Sequence, residues 1–128
     1  MTDQTLADYL EEARARLDRV TPEHLEREMR AGAYVVDVRD SALRELQGPI
    51  PGAAVIDLTL LEWRLAPSSE TRIVDLEPGQ RVIVVCNQGY SSSLAAARLQ
   101  DVGVPTATDL EGGFTAWTAW QKSLSDPA

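Results

Sequence analysis

One cysteine stands where chain geometry can make its sulfur reactive. In Val84-Val85-Cys86-Asn87-Gln88-Gly89-Tyr90-Ser91-Ser92-Ser93, an apolar run delivers a thiol to a short polar loop, and a serine-rich helix start follows. Gly89 permits backbone angles that let several N–H groups converge on one point. A helix starting at Ser91 or Ser92 adds free N–H groups and the positive end of its dipole. Together these form an anion pocket around the sulfur. Such a pocket favours thiolate over thiol, drawing a cysteine pKa from about 8.5 toward or below neutrality. It can also hold a negatively charged sulfur carried on the cysteine. The expected site is Cys86 as nucleophile, with Asn87, Gln88, Gly89, Tyr90, Ser91 and Ser92 as its binding loop. Taken alone, Cys86 also reads as a small buried core residue, a common role for free cysteine; the strand–loop–helix context favours chemistry. Ser91 and Ser92 read equally as plain N-caps, and a cap hydroxyl beside a thiolate would do both jobs. Tyr90 projects from the loop, where it is placed to wall an entrance.

The elements that must position this loop can be read from periodicity. Leu6, Tyr9, Leu10, Ala13, Leu17 and Val20 recur at helical spacing and predict an amphipathic helix over residues 5–19. Thr21-Pro22 restarts a helix, with Thr21 as N-cap and Pro22 at the first helical position, ending at Gly32. Val20 and Leu25 are spaced to form a hydrophobic staple. Residues 33–38, 53–56, 81–85 and 106–110 read as short strands, and the third is the most apolar. Gly48-Pro49-Ile50-Pro51-Gly52 is a rigid loop, and Asp57 is placed to cap a helix through about Leu65. A helix over 91–102 is apolar on most sides, and a last one follows Gly112-Gly113 with Phe114, Trp117 and Trp120. The three tryptophans, Trp63 included, read as core anchors. Strands alternating with helices predict an α/β fold with a mostly parallel sheet. Ligands in such sheets sit beyond the carboxyl ends of the strands, where Cys86 lies.

Composition narrows the function classes. The 128 residues suggest one domain with a core large enough to need no metal or disulfide staple. The net charge of −8 and the lack of a basic stripe argue against nucleic acid and anionic membranes as partners. Met1-Thr2-Asp3-Gln4 lacks the basic and apolar pattern of a signal peptide, and Val82–Cys86 is too short to span a bilayer. A single cysteine forbids an intramolecular disulfide and fits a reducing cytoplasm. One cysteine and one histidine, His24, cannot make a zinc site, so no metal is expected. His24 reads as an exposed or satisfied side chain near a helix start.

The strand, Cys86, glycine-containing loop and serine-rich helix start resemble a single-domain rhodanese, a sulfurtransferase module. Three further segments carry the resemblance. Val36-Asp37-Val38-Arg39 is similar to the family's Asp-x-Arg, and Gly48-Pro49-Ile50-Pro51-Gly52-Ala53 to its Gly-His-Ile-Pro-Gly-Ala loop, with Pro49 in the histidine's place. Leu110-Glu111-Gly112-Gly113-Phe114-Thr115-Ala116-Trp117 is similar to its closing Gly-Gly-x-x-x-Trp turn. Order and spacing hold over about residues 21–122. The resemblance implies one rhodanese-like domain there, with helices on both faces of the sheet. Residues 1–20 are then a helical extension packed on the domain, residues 123–128 a short flexible tail, and Leu58–Gln80 a subgroup insertion.

The resemblance also implies a function. Cys86 would take a sulfane sulfur from a small sulfur-containing anion such as thiosulfate, hold it as a persulfide, and pass it to cyanide, a thiol or a protein cysteine, with no cofactor. Asp37 and Arg39 would form a supporting structural ion pair. One departure matters: many relatives carry Arg or Lys inside the loop, and here the loop is neutral. Arg64 first and Arg44 second are candidates to supply that cation from outside; either also reads as a solvated surface side chain. The neutral loop keeps open a second reading, a sulfur-carrier or persulfide-sensing interaction module with little or no turnover. A phosphatase of related fold would need a longer loop ending in Arg six residues after the cysteine, where this chain has Ser92.

Overall fold

The computed structural model describes residues 3–125. The two runs richest in β-branched residues, Tyr34–Asp37 (β1) and Val82–Val85 (β3), lie side by side at the centre of the sheet. Ala54–Val55 (β2) pairs with β1 and Ala107–Asp109 (β4) with β3, giving the order β2-β1-β3-β4 with every pairing parallel. Parallel neighbours require crossovers, and helices supply them. The helices are Leu6–Ala15 (α1), Leu25–Arg30 (α2), Ser41–Gln47 (α3), Leu61–Leu65 (α4), Ser91–Asp101 (α5) and Gly113–Ser125 (α6).

Side chains alternate across the strands, so each face of the sheet has its own core. Val36, Val82 and Val84 pack with Leu61, Leu65 and Leu99 from α4 and α5. Val35, Ile83 and Val85 pack with Leu25, Ile50 and Phe114 from the opposite layer. The fold is therefore the expected one, a parallel sheet covered by helices on both faces. Each fully buried leucine contributes about 1.5–3 kcal/mol relative to exposure. Both layers thus hold β3, and with it the residue that follows, in a fixed place.

Several boundaries depart from the periodicity, for physical reasons. Thr5 caps α1 in a capping box with Asp8, but the helix stops at Ala15, short of the predicted residue 19. Residues 16–20 leave it to reach the sheet edge, where the Val20 N–H donates to the Asp109 carbonyl at 3.0 Å and Glu111 N–H to the Val20 carbonyl at 2.8 Å. Sheet-like pairing wins over one more helical turn. The amphipathic stripe is covered only toward its end: Ala13 and Val20 are buried, while Leu6 and Tyr9 are exposed. The helix restarting at Pro22 opens with a 3₁₀ turn, Pro22–His24, and so does the one capped by Asp57, with Leu58–Leu60 preceding α4. Trp63 is 58% exposed and is not a core anchor. Trp117 does pack on Phe114, with ring centroids 5.6 Å apart. Helix α6 runs to Ser125 and takes in the start of the segment expected as a tail. Residues 126–128 of that tail, and Met1-Thr2 of the N-terminus, lie outside the described residues. Among the described residues, no helix is long and apolar enough to cross a membrane.

Candidate active site

Cys86 follows β3 directly and is 7% exposed. Its Sγ accepts the N–H of Gly89 at 3.1 Å and the N–H of Ser92 at 3.4 Å. The sulfur thus sits at the amino end of α5, facing N–H groups that have no partner within the helix. Burial pushes the thiol pKa up; hydrogen bonds from the Ser92 and Ser91 hydroxyls and the Ser92 and Gly89 backbone outweigh it, and the net direction is down. The Ser92 hydroxyl, however, has one proton, and it donates to Asp109 at 2.7 Å. The Ser92 group that faces the sulfur is therefore its N–H. Neither serine is an N-cap: that position falls to Tyr90, which makes no capping bond through its side chain. The caps do not form because Asp109 takes the Ser92 hydroxyl proton and the chain enters the helix one residue earlier.

The loop is shaped by what holds its carbonyls away from the sulfur. At the start of α6, Phe114 N–H donates to the Cys86 carbonyl and Thr115 N–H to the Asn87 carbonyl, each at 2.9 Å. That approach needs Gly113, since a Cβ there would lie 2.5 Å from the Cys86 carbonyl oxygen. Gly89, in the Cys86 loop, has φ +85° and packs against that turn; a Cβ on it would meet the Gly112 nitrogen at 2.8 Å. The two glycine positions let the loop and the closing turn nest against each other. With the carbonyls taken from behind, the N–H groups face inward.

Behind the loop lies a charged cluster that the sequence reading did not contain. Asp109, at the end of β4, is fully buried. Its Oδ2 accepts the hydroxyls of Ser92 and Ser93, both at 2.7 Å, and its Oδ1 accepts Arg19 Nε at 2.8 Å. Arg19 Nη2 also donates to the Gly89 carbonyl at 3.2 Å, and Arg14 Nη2 donates to the same carbonyl at 2.8 Å. The one signal available was Asp109 itself, an acidic residue ending an apolar strand, which needs a buried partner.

Asp37 and Arg39 come together on the other side. Arg39 Nη2 and Nε bind the two oxygens of Asp37 at 2.8 and 3.0 Å, both side chains buried. Arg39 also donates to Gln47 Oε1 and the Gly48 carbonyl, and lies 3.7 Å over the Phe114 ring. Four of its five N–H donors are committed to the protein, so it braces the wall.

A cavity of about 550 Å³ opens on Cys86, Asn87 and Ser91 at the carboxyl ends of β1, β2 and β3. Its apolar lining is Val38, Leu43, Val55 and Leu58, and its charged lining is Arg39, Arg44, Asp40 and Asp57. Arg44 is thus at the cavity, with one guanidinium nitrogen bonded to the Arg39 carbonyl at 2.9 Å. Arg64, the first expected cation, is not among the lining residues. It is held instead by the loop that follows its helix, where Nη1 donates to the Thr71 carbonyl at 3.2 Å. Gln88 and Tyr90 are exposed and do not line the cavity; Tyr90 instead carries the Arg14 guanidinium 5.6 Å from its ring centroid. The buried Oδ1 of Asn87 has no hydrogen-bond partner among the described residues. His24 is away from the site and pairs with Thr21 Oγ1 at 3.0 Å. A larger depression of about 690 Å³ beside Trp63 and Val102 lies apart from the cysteine.

Comparison with known proteins gives the family. Thiosulfate sulfurtransferase GlpE of Pseudomonas fluorescens is 36% identical over 99 residues, covering 77% of this chain and 83% of the relative. GlpE of Pseudomonas putida is 35% identical over 102 residues, covering 79% and 84%. Among solved structures, a Rhodopseudomonas palustris protein of unknown function, described as a possible tyrosine phosphatase, superposes with a TM-score of 0.79 at 26% identity over 94% of each chain. Residues 21–119 match the family model described as Rhodanese-like domain, and the chain belongs to that family.

Proposed function

We propose that the protein is a sulfurtransferase that carries sulfane sulfur on Cys86. The observation that carries this reading is the Sγ of Cys86 facing the Gly89 and Ser92 N–H groups at the head of the cavity. In the first half-reaction the thiolate attacks the outer sulfur of thiosulfate. The new S–S bond forms as the donor's S–S bond breaks, and sulfite departs with that bond's electron pair. The enzyme is left as an anionic persulfide, which needs no proton and rests on the same N–H groups. In the second, cyanide or a thiolate attacks the terminal sulfur and Cys86 returns as thiolate. Two half-reactions through a covalent intermediate imply ping-pong kinetics. The likeness to the two GlpE proteins supports thiosulfate as a donor.

The test is intact-protein mass spectrometry after incubation with thiosulfate and removal of excess. We expect one added sulfur on the wild type and none on Cys86→Ser. An adduct that survives the substitution, or a wild type that loads from no donor, would overturn the reading. One observation favours a second reading, a sulfur carrier or persulfide sensor: Asp40 and Asp57 share the mouth with Arg44 and work against a dianionic donor. Loading without turnover to cyanide would select it. Phosphatase chemistry is disfavoured because Ser92, and not arginine, occupies the sixth position after Cys86.

A further inference from the structure

The loop has no charged side chain of its own, yet two guanidinium groups press on its back, both from residues before position 21, where the family match begins. The Gly89 carbonyl receives Arg14 at 2.8 Å and Arg19 at 3.2 Å. Arg14 Nε also donates to Ser93 Oγ at 3.1 Å, and Arg19 completes a two-point pair with buried Asp109. Asp109 in turn holds the hydroxyls of Ser92 and Ser93. The two residues whose N–H groups reach Cys86 Sγ are Gly89 and Ser92. Each is therefore held from behind by this cluster. Gly89 is pinned through its own carbonyl, and Ser92 through its hydroxyl.

We infer that Arg14 and Arg19 are positioning residues for the Cys86 loop, holding the Gly89 and Ser92 N–H groups on the sulfur and placing positive charge behind a neutral loop. Two guanidiniums against one carboxylate leave one net positive charge at the back of the site. The geometry follows from the early end of α1: residues 16–20 run to the edge of β4, and that path puts Arg19 on Asp109 while Arg14, in the last turn of α1, reaches over α5. The inference rests on Cys86 acting as a thiolate, as in the proposed function, but not on which donor it uses.

The other charged groups around Cys86 are Asp37 and Arg39 at the end of β1, Asp40 and Arg44 of the α3 segment, and Asp57 before α4. None is altered in the variants that test the inference. The experiment measures the rate of alkylation by iodoacetamide against pH, with the thermal midpoint alongside, in the full chain. The variants are Arg14→Ala, Arg19→Ala and Arg19→Lys, with Arg16→Ala as control. Arg16 belongs to the same segment but pairs with Asp101 on the outer side. We expect Arg19→Ala to move the alkylation profile to higher pH by about one unit, roughly a tenfold loss of thiolate near neutrality. Arg14→Ala should move it the same way by about half that. Arg19→Lys keeps the charge but cannot span Asp109 and the Gly89 carbonyl with one planar fork, so it should restore only part of the shift. Arg16→Ala should leave the profile in place. If every folded variant keeps the wild-type profile, whatever its melting midpoint, the arginines are structural only and the inference fails. It fails equally if Arg16→Ala shifts the profile as far. Should Arg19→Ala not fold, Arg14→Ala alone decides. A wild type that alkylates as a thiolate but never loads sulfur would refute the sulfurtransferase reading and leave this one standing.

Discussion

Two buried aspartates flank the strand that carries Cys86, and they are neutralised in opposite ways. Asp37, at the end of β1, finds its arginine two residues on, and the pair closes within one turn of chain. Asp109, at the end of β4, finds Arg19 ninety residues earlier. Charge burial demands a partner in both places. The local pair ties a strand end to its own loop, with Gln47, Gly48 and Phe114 filling its remaining contacts. The distant pair ties the N-terminal segment to the reactive loop, because Arg19 and Asp109 both share bonds with Gly89, Ser92 or Ser93. The first stiffens one wall, whereas the second couples a separate piece of chain to the sulfur.

This contrast can be broken by measurement. The largest effect should come from Arg39→Ala, which strands a carboxylate with almost no exposure and costs about 3–5 kcal/mol of stability by denaturant unfolding. An unchanged midpoint would mean that Asp37 is not held as an ion. Arg19→Ala should cost less, about 1–3 kcal/mol, because Asp109 keeps two hydroxyl donors and Arg19 is 17% exposed, which leaves water a route in. If the order of the two variants reverses, the distant pair is the stronger brace and the contrast is wrong.

The smallest effect is a pH dependence that reads the sulfur side directly. The Cys86 pKa is lowered in the folded protein. A group depressed on folding stabilises the native state above its unfolded pKa, about 8.5 for cysteine. That contribution is lost as pH falls through the folded value. Wild type, kept reduced, should therefore gain stability over Cys86→Ser as pH rises from the folded pKa to about 8.5, and level off above it. A flat difference would show that burial and hydrogen bonding cancel at the thiol.

What the sequence disclosed tracks how local each cause is. The parallel sheet, Cys86 at a carboxyl end and the two glycine turns follow from short-range pattern, and so does Asp37 beside Arg39. The Arg19–Asp109 pair leaves no such trace, since nothing in the spacing of two charged residues ninety positions apart says that they meet. The same blindness explains Arg64. Its guanidinium is taken by the Thr71 carbonyl in the loop after its helix, a contact that helical spacing does not foretell. The loop's neutrality is legible in the sequence. The arginines behind it are not, because their place depends on where α1 leaves the helix to join the sheet.

The edges of that sheet limit how another molecule can approach. β2 offers two residues, and β4 is already partnered along part of its outer side by Val20. An extended segment needs a longer free ladder to add itself as a strand. If Cys86 carries sulfur as proposed, a protein acceptor would meet side chains such as Val55, Leu58 and Arg44 around a recess. Recognition would then depend on how far the visiting cysteine projects from its own surface. A thiol on a protruding loop tip or a terminal tail could reach the sulfur, and one on a flat strand would stop short of it.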